Sequence, residues 1–478
     1  MKIAFVHYHL RPGGVTQVIK NQTAALREAG EEILVLSGEA PANLEDYKGI
    51  SVSVVPLLHY DRYRQAEPEI NPVPKEEELA FRTEEAIRSH WPGGADLLHV
   101  HNPLIRKNSS LIGALKKLSE RMPLLLQNHD LAEDFRPDVY TGEEYPADCH
   151  YAVINKRDYR FLLEAGLKPE GLHFLPNEVQ KLSITPGLAR TRFMYPVRGI
   201  RRKNIGETLF LSLFTGSLFN PKQAETKIAI TQPPTTEQDM PIYSRWKEIA
   251  AKLNLPVEFE AGLNSSFADV MGSARAVITT SVKEGFGFSF LEPWTAFLPV
   301  AGRRIDYVCR DFEEAGLRLD HLYPSLNIPA EYAEPEKILG KTAEALSRLY
   351  ASFSLPLPPH IQNDLRTIFS RDLIDFGIMD EEIQKKIINL AVKDKAVREH
   401  IKKENPFLEI IAESHFDPGL IKLNREAVLS AYSSSTILKT IMDAYRKALF
   451  PVSQNIERSK LLELYLDPAR LFLTGISP

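Results

Sequence analysis

The stretch TTSVKEGFGFSFLEPW, Thr279 to Trp294, holds two glutamates, Glu284 and Glu292, with seven residues between them. A turn containing Gly285, Phe286 and Gly287 lies inside that interval. An ionised carboxylate accepts on two oxygens, which suits the paired hydroxyls of a vicinal diol. Amides at the start of a helix receive anions, and the helix dipole adds to this. Two acids around such a turn can therefore hold two polyols on either side of a diphosphate. On spacing alone, a surface acid pair near a helix start, where acids are favoured anyway, is the better fit. A second stretch, YPVRGIRRKNIGE, groups Arg198, Arg201, Arg202 and Lys203. Arginine forks and a lysine point charge suit a diphosphate; a solvated basic face has the same composition. In HYHLRPGGV, Gly13 and Gly14 permit positive φ and close backbone approach at a helix start. The three-glycine dinucleotide spacing is absent there.

Alternating strands and helices must position these residues. KIAFVHY reads as a buried strand, and GGVTQVIKNQTAALREAG follows at helical spacing and stops at Gly30. EEILVLSG, DLLHVHN and PLLLQNHD read as further strands, with the helix SSLIGALKKLSERM between the last two. HYAVINKRDYRFLLEAG and GLHFLPNEV continue the alternation. Such a pattern predicts βαβ units, a parallel sheet, and ligands beyond the carboxyl ends of its strands. His7, His101 and His129 fall at or near three such ends, which places them near one crevice. In the middle third, LFLSLFTG, AETKIAITQPP, PVEFEAG and ARAVITTS read as strands and PIYSRWKEIAAKLNL as a helix. After about residue 331 the chain becomes charged and helical, from EPEKILGKTAEALSRLYASF to DEEIQKKIINLAVKDKAVREHIKKE, with a break at SLPLPPHIQ. NREAVLSAYSSSTILKTIMDAYRKALF has strong helical periodicity, and QNIERSKLLELYL adds a short helix.

The expected fold class is α/β. Two Rossmann-like domains, residues 1–185 and 186–330, face each other across a cleft. A helical extension, 331–423, follows, and C-terminal helices, 424–478, pack back across the domains. A chain of 478 residues is too long for one core. Its 44% apolar and 25% charged content is that of a soluble globular enzyme. A net charge of −5 supplies no field to draw nucleic acid. Two cysteines, Cys149 and Cys309, cannot make a disulfide framework, so a reducing, cytoplasmic setting is expected. MKIAFVHYHL lacks the features of a signal peptide, and no apolar run is long enough to span a bilayer. Peripheral membrane contact and the oligomeric state stay open.

At EGFGFSFLE the chain resembles the retaining GT-B glycosyltransferases of family four, whose signature is a Glu–seven residues–Glu pattern. The surrounding ARAVITTSVKEGFGFSFLEPWTAFLPV follows the family run, and the resemblance covers roughly residues 1–330 with the late helix near 424–450. It implies that Glu284 contacts the donor sugar, Glu292 the nucleotide ribose, and the Gly285-Phe286-Gly287 turn the sugar and phosphates. The family's arginine and lysine that grip the diphosphate correspond to Arg198 and Lys203. The glycine that follows the lysine is Asn204 here, and LPNEV carries Glu178 where the family has glycine. RPGGV resembles the loop set against phosphates and acceptor, giving Gly14 that role, and NHD gives His129 the donor sugar. Acceptors in such enzymes sit on the N-terminal side, where His7, His101, Asn102 and Arg106 lie.

The activity implied is transfer of a sugar from a nucleotide-diphosphate donor to a hydroxyl acceptor with retention, without a metal or a further cofactor. UDP- or GDP-sugars are the donors expected by analogy. Arg198, Lys203 and amides stabilise the leaving diphosphate; the glutamates do not act as a hydrolase's acid and nucleophile. Three rivals stand beside this reading. A disaccharide phosphorylase of the same architecture would use a sugar phosphate. A non-catalytic nucleotide-sugar-binding protein would keep the same four residues. A two-domain dehydrogenase ranks last, since its glycine fingerprint is missing.

Overall fold

The apolar runs of the first 180 residues assemble as one parallel sheet. The computed structural model describes residues 1–61, 75–215, 226–413 and 416–467. Within them the chain divides into two units: Met1–Glu178 with Ala431–Leu466, and a second made mainly of Val179–Ser430. The first unit holds β1 (Lys2–His7), β2 (Glu32–Ser37), β3 (Ser51–Val54), β4 (Leu97–His101), β5 (Leu124–Asn128), β6 (His150–Val153) and β7 (Leu172–Phe174). Their order is β3-β2-β1-β4-β5-β6-β7, with Ile3 opposite both Ile33 and Leu97. Both faces are covered by helices, so the strands are apolar throughout rather than alternating. Ile3 and Phe5 pack on Ile19 and Leu26 of helix Gly14–Glu28 and on Ile437, Ile441 and Tyr445 of helix Ser434–Ala448. Ala4 and Val6 share the other face with Leu79, Ile87, Leu111 and Leu115. The late helix thus completes the core of the first unit.

The second unit repeats the design with β8 (Arg192–Arg198), β9 (Lys227–Gln232), β10 (Val257–Glu258), β11 (Ala274–Thr279) and β12 (Val300–Gly302). Their order is β10-β9-β8-β11-β12, all parallel. Strand order reverses between β1 and β4 in one sheet and between β8 and β11 in the other. At such a reversal the flanking loops diverge and leave a crevice at the carboxyl ends.

Two expectations are corrected. LFLSLFTG is not a strand: its residues up to Thr215 lie in helix Ile205–Thr215, every residue of which is buried. A short apolar run cannot distinguish a buried strand from a buried helix. This helix is buried all round because it packs on β9 on one side and on helices Glu381–Lys393 and Phe407–Glu413 on another. The periodic stretch from Asn424 is two helices, Pro418–Ala431 and Ser434–Ala448. Ser433 caps the second by accepting from the amide of Thr436, which restarts the helix inside the serine run. The final residues of the expected C-terminal helices, 468–478, lie outside the described residues, as do Gly216, 224–225 and 414–415 of the stretches above.

The charged helical segment after residue 331 is built into the second unit. β13 (Asn327–Pro329) and β14 (Leu373–Asp375) form a small antiparallel pair. Asp375 receives two hydrogen bonds from Arg303, Nη1 to Oδ2 at 2.8 Å and Nη2 to Oδ1 at 2.7 Å. The same guanidinium donates to Glu207 at 2.9 Å from Nε and 2.6 Å from Nη2. Tyr323 adds a third donor to Glu207 at 2.7 Å. Arg303 and Glu207 are 1% and 0% exposed, so water cannot replace either partner. Among the described residues, no helix is long and apolar enough to cross a membrane.

Removing one member of a buried ion pair leaves the other uncompensated, at a cost of roughly 3–5 kcal/mol. Arg303→Ala is therefore expected to lower the unfolding free energy by about that amount in urea titration. A loss under about 1 kcal/mol would show that the cluster is not closed to water.

Candidate functional site

The basic run continues from the last residue of β8. Arg201–Lys203 form a short 3-10 turn, and Asn204 ends it in the left-handed region at φ 51°. Asparagine is among the few non-glycine residues that tolerate this conformation. Asn204 therefore adopts this turn without needing glycine. The turn is tied to the loop after β11. Thr280 Oγ1 and Tyr195 Oη each donate to the carbonyl of Lys203 at 2.9 Å, and the amide of Val282 donates to the carbonyl of Arg202 at 3.0 Å. Glu284 and Lys203, 81 positions apart, then meet side by side.

Lys203 Nζ donates to Glu284 Oε1, and Arg202 Nη1 donates to Oε2 at 2.8 Å. Both members of the inner pair are buried, Lys203 at 9% and Glu284 at 7% exposure. Burial alone would raise the Glu284 carboxyl, but Lys203 and Arg202 hold it down at about 2. Burial depresses the Lys203 ammonium to about 8 against the pull of Glu284, with Arg202 adding repulsion. At neutral pH both groups are charged. Tyr307 fixes the backbone of Glu284: its hydroxyl donates to the Glu284 carbonyl and accepts from the Glu284 amide at 3.2 Å.

The turn that follows is shaped by Gly287, at φ 91°. A Cβ there would lie 2.9 Å from Val308 Cγ1 and 3.0 Å from Phe290, so conformation and space both demand glycine. Phe286 is buried edge-on against Phe288 and Phe312, so the contribution expected of it toward a donor falls to its backbone. Glu292 does not lie within a long helix: it is the first residue of the four-residue helix Glu292–Thr295. Its carboxyl is pushed up to about 7 by burial, with no compensating partner among the described residues. The two glutamates thus differ in kind. One is a permanently ionised partner of cations, and the other is a desolvated acid that titrates near neutrality.

Arg198 is exposed at the end of β8, and its Nε donates to Gln232 Oε1 at 3.4 Å. It lines a hollow of about 230 Å³ with Thr231, Gln232, Gly262 and Phe267. The structure thus joins Lys203 to Glu284 directly, whereas Arg198 bonds elsewhere and Arg202 takes the second place on Glu284. Arg202 stood in the basic run, but nothing in its spacing marked it out. Tyr307 carried no sequence signal.

In the first unit, His7 and His101 end β1 and β4 at the strand-order reversal, and His129 follows β5. The three do converge. His101 Nδ1 lies 3.0 Å from His129 Nε2, and His7 Nδ1 lies 3.2 Å from the His101 carbonyl. Burial lowers all three, His7 to about 3 and His129 to about 4, so they are neutral at physiological pH. Asn102, at φ 53°, accepts from the amide of His129 at 2.6 Å and so fixes that loop. Arg106 is exposed. Gly13 is extended, at φ 178°, and Gly14 has no left-handed φ, so neither uses the freedom that suggested them. Among the described residues, no atom lies within 4 Å of a Cβ built on Gly14.

No protein-family profile matches the chain. It is similar to the mannosylglucosyl-3-phosphoglycerate synthase of Petrotoga mobilis, 24% identical over 482 residues that span 90% of this chain and 89% of that protein. Among solved structures it is similar to HepE of Anabaena in complex with UDP and glucose, with TM-score 0.53, 13% identity, and coverage of 93% and 98% of the two chains. It is also similar to the sucrose-phosphate synthase of Thermosynechococcus elongatus, with TM-score 0.53, 14% identity and the same coverage. At these identities the structural likeness establishes the fold: two parallel-sheet α/β domains of the GT-B kind with helices at the C-terminus.

Glu292 gives a prediction that does not depend on function. Its folded carboxyl titrates above the ordinary glutamate value of 4.5, so ionising it costs stability: the cost is absent below 4.5, grows as pH rises and is complete above about 7. Glu292→Gln removes a charge that is absent at pH 5.5 and present at pH 8.5. The variant should melt above the wild type by more at pH 8.5 than at pH 5.5, the two drawing level only below about pH 4.5. An equal difference at both pH values would place the carboxyl in water.

Proposed function

We propose that this protein is a retaining glycosyltransferase that moves a sugar from a nucleotide-diphosphate donor to a hydroxyl acceptor without a divalent metal. The observation that carries the reading is the Lys203–Glu284–Arg202 constellation at the strand-order reversal of the second sheet. It combines a buried cation with a carboxylate held ionised. As the bond from the anomeric carbon to the diphosphate breaks, negative charge grows on the phosphate oxygens. Lys203, Arg198 and the amides of the Gly285–Gly287 turn stabilise that charge, and preorganised groups need no reorganisation when it appears. Donor binding exchanges one anion for another at Lys203 and turns Glu284 toward sugar hydroxyls. Glu292 accepts from the ribose hydroxyls. By the same resemblance, His129 and Gly14 serve the donor sugar and phosphates, and His7, His101, Asn102 and Arg106 the acceptor. The acceptor hydroxyl attacks the face the leaving group departs from. Its oxygen bonds to the anomeric carbon, and its proton passes to the leaving phosphate.

The similarity to a synthase of mannosylglucosyl-3-phosphoglycerate supports a glycosyl acceptor that carries a phosphoglycerate. It makes GDP-mannose with glucosyl-3-phosphoglycerate the first pair to assay, with UDP-glucose as the second donor. Turnover is expected from a nucleotide sugar in the presence of a chelator, with an α-linked product from an α-linked donor. Lys203→Ala should reduce kcat by about two orders of magnitude, the usual effect of removing one transition-state charge donor. Glu292→Ala should act mainly on donor KM. Turnover with a sugar phosphate and none with any nucleotide sugar would make the protein a phosphorylase. Full activity in Lys203→Ala would remove the diphosphate assignment.

A further inference from the structure

The helical segment after residue 331 belongs to the second unit, and one of its helices reaches the basic turn. Glu381 and Gln384 lie three residues apart on helix Glu381–Lys393, hence on one face. Glu381 accepts from Arg201 at both oxygens, Nε to Oε1 at 2.6 Å and Nη2 to Oε2 at 3.1 Å. Gln384, fully buried, donates through Nε2 to Asn204 Oδ1 at 2.9 Å and to the carbonyl of Phe376 at 3.1 Å. The same helix therefore holds the residue two before Lys203 and the residue just after it. Asn204 passes the restraint on, since its Nδ2 donates to Glu207 Oε2 at 2.8 Å, the carboxylate locked by Arg303 and Tyr323. The fit is close: a Cβ on Gly206 would come within 2.1 Å of Gln384 Oε1 and 2.8 Å of Trp246.

We propose that helix Glu381–Lys393 is a splint for the basic turn, with Glu381 and Gln384 as positioning residues that set Lys203 for its work on the diphosphate. The reading rests on the role given to Lys203 above. The sheet side holds the turn at the carbonyls of Arg202 and Lys203 through Val282, Thr280 and Tyr195. The splint holds its flanks by side chains. A turn held on one side only can swing by an ångström, enough to cost a reaction about a hundredfold.

The test uses the full chain and two readouts. Hydrogen–deuterium exchange over residues 198–206 should rise in Glu381→Ala and in Gln384→Ala while exchange in the first unit is unchanged. Their kcat should fall about tenfold to a hundredfold, more than donor KM changes. Glu381→Gln keeps an acceptor for Arg201 and should recover most of the loss. Lys386→Ala, on the same helix but paired with Glu334 at the surface, should change neither readout. If Gln384→Ala does not fold, Glu381→Ala at its part-exposed position carries the test. Unchanged exchange over 198–206 in the folded variants, or a rise spread evenly over the second unit, would overturn the splint. Failure of the wild type to bind GDP or UDP would instead overturn the role of Lys203, and exchange would still judge the splint.

Discussion

A lysine and a glutamate share one small volume of the second unit, both shielded from water, and most of its local architecture follows from keeping them charged there. Burying two ions is costly, and their mutual attraction repays it only with good geometry and further hydrogen bonds. Arg202 supplies one to the Glu284 carboxylate, and Tyr307 fixes the backbone that carries it. The two groups act on stability in opposite directions. Glu284, held at about 2, adds stability that is complete above the ordinary glutamate range and lost as pH falls toward 2. Lys203, lowered to about 8, works the other way: its charged form is disfavoured on folding, so it costs stability below 8. A cation kept under this strain is the kind of group that a functional site retains.

The fold answers the geometric problem. Parallel strands covered on both faces leave their carboxyl ends as the open ground, and the reversal between β8 and β11 brings two loops together there. One loop carries the cations and the other the acids. The left-handed Asn204 turns the chain directly from Lys203 into the buried helix Ile205–Thr215, whose Glu207 is locked to Arg303. The late helical segment is therefore part of the site's foundation, because Asp375, Glu381 and Gln384 all close on this region.

Much of this could be read from the sequence. The strand-and-helix alternation of the first 180 residues places His7, His101 and His129 at strand ends, where they are found together. The spacing of Glu284 and Glu292, with the resemblance it carries, pointed to residues that prove structurally distinctive. What escaped was of two kinds. Buried helix and buried strand look alike in LFLSLFTG, because the helices that cover one side of it, Glu381–Lys393 and Phe407–Glu413, come from far along the chain. Arg202, Tyr307, Arg303 and Gln384 gain meaning only through contacts across long sequence separations, which no local pattern encodes. Asn204 is instructive in the other direction. It stands where the resemblance led one to expect glycine, yet asparagine tolerates the left-handed turn and adds a hydrogen-bonding handle that glycine lacks.

The central claim is that the buried Lys203 is the anchor for a diphosphate. Calorimetric titration of GDP, UDP and the corresponding nucleosides into the wild type and Lys203→Met addresses it directly. A charge-assisted hydrogen bond is worth about 1.5–3 kcal/mol, so the account predicts that the preferred diphosphate loses about tenfold to a hundredfold in affinity while its nucleoside is unaffected. Equal diphosphate affinity in the two proteins would contradict it.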